Sequence, residues 1–309
     1  MNFMLDRFSI FSYTKHMNKL DTKTRAQILH LLCEGTSMRA ITRLTGVSIN
    51  TVSKLLIDAG TACAAYHDDA VRDVKAERIQ CDEIWSFTYA KQKNVAKADA
   101  APEGAGDTWT WTALTEKKLI LSYLVGGRDA GYAHDFMSDV ADRLSNRVQL
   151  TTDGHKAYLN AVEDAFGGDV DYAQLIKIYG KAPQGPQTRY SPAECTGAEK
   201  RPVTGNRDDD HISTSHIERS NLTMRMHMRR FTRLTNGFSK KLSNHCHMVA
   251  LYTVFYNFVK IHKTLSVTPA MESGISGEVR DFEWIVGLVD LNKPEPKKRG
   301  SYKKRAAKA

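Results

Sequence analysis

Between Thr24 and Gly60 apolar residues recur at helical spacing three times: Ile28, Leu31 and Leu32, then Met38, Ile41 and Leu44, then Val52, Leu55 and Leu56. A period of 3.6 puts each set on one face. Glu34-Gly35 and Thr45-Gly46 interrupt the pattern, so the stretch predicts three short helices. Ser48 carries a hydroxyl suited to capping the third, which leaves Asn50, Thr51, Ser53 and Lys54 on its outward side. Residues 61–78, dense in charge, predict a linker. From Ile79 the pattern shortens to that of strands: "IQCDEIWSFTYA", "WTWTALT", "KLILSYLVGG", "RVQLTTDG" and "VDYAQLIKIYG". Helical segments, "YAHDFMSDVADRLS" and "HKAYLNAVEDAFG", flank the fourth of these. The order β-β-β-α-β-α-β, followed by a helix, predicts an α/β fold with a mixed sheet flanked by helices behind an all-α N-terminal unit. Residues 181–214, with four prolines and "NRDDD", predict an irregular insertion. "LYTVFYNFVKIH" predicts a helix that buries Leu251, Val254, Phe255 and Phe258 against the sheet. The expected layout is an extension at 1–23, the three-helix unit at 24–60, the linker at 61–78, a large α/β domain at 79–270, a further segment at 271–292 and a basic tail at 293–309.

Charge changes this picture. The 309 residues carry a formal net charge of +9, and the last 17 hold eight Lys and Arg against Glu295. Such a tail, almost free of apolar residues, is expected to be disordered and to favour an anionic partner. Residues 219–241 hold seven basic side chains and no acidic one, where a solvated helix would mix signs. Five scattered cysteines without a C-x-x-C pair fit neither a disulfide framework nor a zinc site and predict a reducing compartment. The longest apolar run is too short to cross a bilayer and no secretory signal precedes the first helix, so a cytoplasmic protein associated with the nucleoid and not with a membrane is expected. Met17 is an alternative start to Met1.

Two constellations carry candidate chemistry. Thr42, Gly46 and Val52 fall at the spacing of a helix-turn-helix, in which short polar side chains on the third helix read major-groove edges. The DNA-facing candidates there are Asn50, Thr51, Ser53 and Lys54. The second constellation is Asp82 in the first strand, Asp153 at the end of the fourth, and Glu218 near the start of the basic helix. Three hard oxygen ligands with open positions suit Mg²⁺ or Mn²⁺. Glu218, Asn221, Leu222, Arg225 and Arg229 follow one helical stripe, so a phosphate backbone held by Arg225, Arg229, Arg230 and Arg233 would run beside a ligand of the ion. Asp208, Asp209 and Asp210 rival Glu218 as third ligand, but only Glu218 shares a helical face with Arg225. His155 and His216 lie near the proposed ligands, whereas His245 and His247 point to different faces, make a poor chelate and are expected in core or surface roles. Trp85 is expected on the sheet face opposite Asp82.

The series Asp82, Asp153, Glu218, with Arg225 seven residues on, resembles the signature of DDE transposases of bacterial insertion sequences, which use an RNase H-like fold. "TTDGHKAY", "HIERSNLTMRMHMRRFTRLTNGFSKK" and "YNFVKIHKTLSVTPA" are similar to the transposases of the first-numbered insertion-sequence family and its relatives. The resemblance implies that Asp82 bridges two Mg²⁺ or Mn²⁺ ions, that Asp153 and Glu218 each complete one, and that Arg225 holds DNA near the cleavage point. It also implies double-stranded DNA as partner, at element ends and target, and a homo-oligomer when two ends are synapsed. The chain departs from the family's pattern in having no cysteine set for an N-terminal zinc finger and in the long interval between Asp153 and Glu218. A DNA-binding regulator without catalysis, or an RNase H-like nuclease, are the alternatives.

Overall fold

The computed structural model describes residues 19–180, 193–232 and 236–292. The basic tail, Arg233 and most of the N-terminal extension lie outside the described residues. The chain opens with α1 (Thr22–Cys33), α2 (Met38–Thr45) and α3 (Ile49–Ala70). Each is capped by the side chain that precedes it: Asp21, Ser37 and Ser48 accept from the backbone N–H groups of Thr24, Ala40 and Thr51. Gly46 ends α2 at a φ of 69°, a left-handed conformation in which glycine has no Cβ to clash.

The sheet is built from β1 (Arg78–Thr88), β2 (Gly106–Thr115), β3 (Ile120–Gly126), β4 (Gln149–Asp153), β5 (Asp171–Tyr179) and β6 (Cys195–Thr204). A one-turn helix, α4 (Gln92–Val95), lies between β1 and β2; α5 (Ala130–Asp142) and α6 (Ala157–Phe166) carry the chain from β3 to β4 and from β4 to β5. The order across the sheet is β3-β2-β1-β4-β5-β6. β1–β2, β2–β3 and β5–β6 are antiparallel, and β1–β4 and β4–β5 parallel. Parallel pairs need a crossover, which the two helices supply. After β6 come α7 (Ser215–His227), α8 (Leu242–Val254), α9 (Pro269–Glu272) and α10 (Phe282–Leu291). The architecture is therefore α/β, a six-stranded mixed sheet flanked by helices.

Several expectations are corrected. The segment 61–78 is not an open linker: α3 continues to Ala70 because Ala62, Cys63 and His67 are buried. There α3 approaches α8 so closely that a Cβ on Gly60 would lie 2.5 Å from the Cα of His247. Nor do α1–α3 stand apart, since their buried side chains join one continuous core with those of α8 and α10, and Arg25 of α1 makes a two-pronged pair with Asp290 at 2.9 and 3.0 Å. The insertion 181–214 contains β6, whose exposed residues have no burial alternation to betray a strand. The basic helix ends at His227, so Arg229 leaves the stripe of Glu218 and Arg225 and sits in a separate 3₁₀ turn, Arg229–Phe231. Leu44, expected to pack, is 65% exposed. The aromatic run after α8 buries Val254, Phe255 and Phe258 as expected, but as a π-helical turn, Phe255–Val259. Among the described residues no helix is long and apolar enough to cross a membrane.

Candidate functional site

Parallel pairing between β1 and β4 runs from Arg78–Gln149 to Cys81–Thr152 and then stops. The next residue on each strand is an aspartate, so Asp82 and Asp153 stand side by side where the two strands part, at the C-terminal edge of β4, a common place for sites in such sheets. Past Cys81 this flank of β1 carries no β4 partner, and Glu83 joins the two aspartates there. One carboxylate oxygen from each of Asp82, Glu83 and Asp153 lies within 4.8 Å of the others. Crowding and burial both disfavour charge. Burial, followed by the charge of Asp153, pushes the Asp82 carboxyl up to about 6 and that of Glu83 up to about 7.

Partial compensation comes from Arg128. Its Nε and one Nη donate to Glu83 Oε2 at 3.2 and 3.1 Å, the same nitrogen is 3.6 Å from Asp153, and the guanidinium lies over the Trp109 ring at 4.5 Å. The other Glu83 oxygen, Oε1, is buried, and the buried Tyr158 hydroxyl approaches the same carboxylate. The donor set is all carboxylate, so Asp82, Glu83 and Asp153 fit a hard divalent cation.

The opposite wall is α7, and its register is set from the strand. Gln80, two residues before Asp82 and hence on the same sheet face, accepts from the backbone N–H groups of His216 and Ile217 at 2.9 and 3.0 Å. One turn further, Asn221 donates from Nδ2 to Asp82 Oδ2 at 2.8 Å, while its Oδ1 lies 3.2 Å from the Thr112 hydroxyl that donates to it. Thr112 thereby fixes which end of the amide faces the carboxylate. Asp82 also accepts from the N–H of Glu83 at 2.9 Å. A cavity of about 380 Å³, lined by Arg78, Gln80, Thr151, Ser215 and His216 among others, opens beside the start of α7.

Glu218 lies outside the close cluster of Asp82, Glu83 and Asp153. It sits near enough for its charge to raise Asp82, yet its own partners are the Thr214 hydroxyl and Lys177 of β5, whose Nζ is 2.6 Å from Oε2. Of the rival triplet, Asp208 is taken up by His211 and the Asp210 N–H, and Asp209 by Arg207.

The remaining candidates are spread out. Arg225 is on α7 and half-buried, and Arg229 is exposed. Arg230 turns inward, donating to the Ser239 hydroxyl at 3.1 Å, and burial lowers it to about 10; it is not on an exposed phosphate track. Asn50, Thr51 and Lys54 are exposed on the first turns of α3 and Ser53 is half-buried, with Lys54 paired to Asp58 at 2.9 Å. His155 donates its backbone N–H to Asp153 at 2.9 Å, and its ring is lowered by burial and by Arg128. His245 is fully buried and its Nδ1 lies 3.0 Å from the Ser239 hydroxyl.

Sequence reasoning missed Glu83, Arg128 and Lys177. Adjacent strand residues normally point to opposite faces, which discounts Glu83 beside Asp82; only the end of β4 pairing lets both reach one place. Arg128 follows Gly126-Gly127 at the end of β3, and Lys177 lies mid-strand in β5, so neither carries a local signal.

No protein-family model matches the sequence, and no curated protein matches it either. A solved structure similar to the chain is the cryo-EM structure of a piggyBac transposase synaptic complex with hairpin DNA, at 8% sequence identity and a TM-score of 0.32. The alignment covers 75% of this chain and 57% of that one. A likeness that distant carries no argument, and the functional reading rests on the site.

Proposed function

We propose that the chain is a DNA transposase of the DDE type, cleaving at the ends of an insertion sequence and joining them to target DNA. The observation that carries this reading is the meeting of Asp82 and Asp153, remote in sequence, with Glu83 at the edge of two parallel strands, ligand atoms within 4.8 Å, beneath a helix bearing Glu218. The strand order and directions are compatible with an RNase H-like fold. Asp82, Glu83 and Asp153 would hold a first Mg²⁺ or Mn²⁺ ion, and Glu218 with Asp82 a second. Divalent cations bound there supply Lewis acidity at phosphorus and activate water or a strand-terminal hydroxyl at neutral pH.

The protein's own residues do the rest in this reading. Asn221, oriented by Thr112, and the Glu83 N–H each hold one Asp82 oxygen and so fix the orientation of the carboxylate. Arg128 keeps Glu83 and Asp153 together while both are charged. Arg225 and Arg229, close along the chain to Glu218, would hold backbone phosphates. Asn50, Thr51, Ser53 and Lys54 would face the major groove at the element ends, with α2 and α3 acting as a helix-turn-helix.

The test is strand transfer with Mg²⁺ and duplexes carrying the element's terminal repeats. Wild-type protein is expected to nick and join, and Asp82→Asn, Asp153→Asn and Glu218→Gln to do neither while still binding the duplex. Nicking without joining would assign a nuclease instead. Binding with neither step in the wild type would assign a regulator.

A further inference from the structure

The two cations at the acidic site are held in different ways. Arg128 grips Glu83 through two nitrogens, stacks on Trp109, and faces a carboxylate whose side chain is 1% exposed. Lys177 makes a single contact with Glu218, and the two side chains are 32% and 38% exposed. Arg128 is itself 35% exposed, so the number of contacts and not exposure separates the two: a guanidinium held by two bonds and a stacked ring is fixed in place, whereas an ammonium on a flexible four-carbon stem with a single contact exchanges partners more readily. Lys177 occupies the Oε2 oxygen of Glu218, and a lysine and a metal ion compete for the same carboxylate oxygens.

We propose that Lys177 is a positioning residue that stands in for a second divalent ion: it holds Glu218 in the DNA-free protein and passes to a phosphate oxygen when a nucleic-acid backbone enters the site, freeing Glu218 for metal. This rests on the reading of Asp82, Glu83 and Asp153 as a metal site. The chemistry asks only for an exchange of ion-pair partners, one carboxylate for one phosphate, with no bond made or broken. A lysine is a competent point-charge partner for phosphate. The arrangement would hold back the second ion until substrate is present.

The experiment is a Mn²⁺ titration of the full chain, read by electron paramagnetic resonance, with and without a short duplex in which a non-cleavable linkage replaces the scissile one. In the wild type the duplex is expected to raise the affinity of the weaker Mn²⁺ site about tenfold, the scale of one charge-assisted contact. Lys177→Met is expected to show that raised affinity without DNA, to gain little more on adding it, and to bind the duplex more weakly; Lys177→Arg, whose forked guanidinium grips a carboxylate more firmly, is expected to keep the low DNA-free affinity and to show a smaller rise with the duplex. Thermal melting of each variant without metal checks that it is folded. If Lys177→Met leaves the DNA-free Mn²⁺ affinity unchanged, or if the duplex does not alter Mn²⁺ binding to the wild type, the exchange is refuted. Asp82→Asn separates this from failure of the underlying reading: Mn²⁺ binding unchanged in that variant would mean that the ion is not held by these carboxylates at all.

Discussion

Replacing Asp82 with asparagine should make the metal-free protein more stable and remove its response to metal. The Asp82 carboxyl is pushed from 3.8 up to about 6, first by burial and then by Asp153. Each tenfold change in proton affinity corresponds to about 1.4 kcal/mol, so full ionisation costs the fold roughly 3 kcal/mol. The side chain is only partly buried, and its replacement weakens the contacts from Asn221 and the Glu83 N–H, so a net gain of about 1–2 kcal/mol is expected, or about 2–6 °C in Tm. The sign follows from the raised value. Below about pH 4 the carboxyl is protonated in both folded and unfolded chains and the variant gains nothing. As pH climbs through about 6 the wild type loses stability that the neutral amide keeps. Mn²⁺ reverses the ranking, because an ion at a hundred times its dissociation constant adds about 2.7 kcal/mol to the wild type only. The assay is thermal melting at about pH 8 with EDTA, then with Mn²⁺. A variant no more stable than wild type in EDTA, or one that Mn²⁺ stabilises equally, would refute both the electrostatic account and the metal assignment.

Asn221→Ala should weaken Mn²⁺ binding by about tenfold while shifting Tm little, because what it loses is the orientation of Asp82; titration calorimetry measures it. Gly60→Ala should destabilise by about 1–3 kcal/mol, since the new methyl meets the backbone of His247 and α3 must move off α8; urea midpoints report this. Acid should destabilise through His67 and His245, lowered to about 4 and about 3, each mainly by burial and further by Arg143 and Arg230 respectively. Their stabilising contribution is complete above 6.5, where both states are neutral, and is lost as pH falls towards the folded values, about 2 kcal/mol per histidine by pH 5. Urea denaturation at the two ends of that range, in an Asp82→Asn, Glu83→Gln background to remove the two opposing carboxylates, is expected to show the drop; equal stability at both would count against it.

How legible the molecule was from its sequence depended on whether a residue's position followed from local pattern. Ser48 as the cap of α3, Gly46 as the end of α2 and the inward set Val52, Leu55 and Leu56 were all readable, because capping and helical periodicity act within a turn or two of chain. Five of the six strands were readable from apolar runs and turns. β6 was not, since it is almost wholly exposed and pairs along one edge only. The pairing of Asp82 with Asp153 followed from one lying in the first strand and the other closing the fourth. Glu83 and Lys177 enter through register, that is, through where β4 stops and which residue of β5 faces α7, and register is a property of the assembled sheet. Arg230 shows the converse: composition marked it as part of a basic track, while after the break at His227 it is half-buried and donates to the Ser239 hydroxyl.

That same register explains how Glu218 and Asn221 can be aimed at Asp82 at all. A 13-residue helix laid against a sheet is free to slide or roll unless its ends are fixed. At the start of α7, Gln80 takes two of the N–H groups that a helix leaves unpaired, and because Gln80 and Asp82 share a face of one strand, the helix is indexed to the carboxylate itself. At its far end, His227 bonds the Cys33 carbonyl at 2.9 Å and meets Lys260 at 2.6 Å. Gly35, at a φ of 71°, passes so close that a Cβ there would lie 2.7 Å from the Met226 carbonyl oxygen. One end of α7 is thus tied to the strand bearing the acids and the other to the turn between α1 and α2. The three-helix unit and the acidic site are consequently parts of one packed body. Duplex held by α3 would meet the carboxylates at an offset fixed by these two anchorages, without any need for a flexible tether to bring the strand to the site.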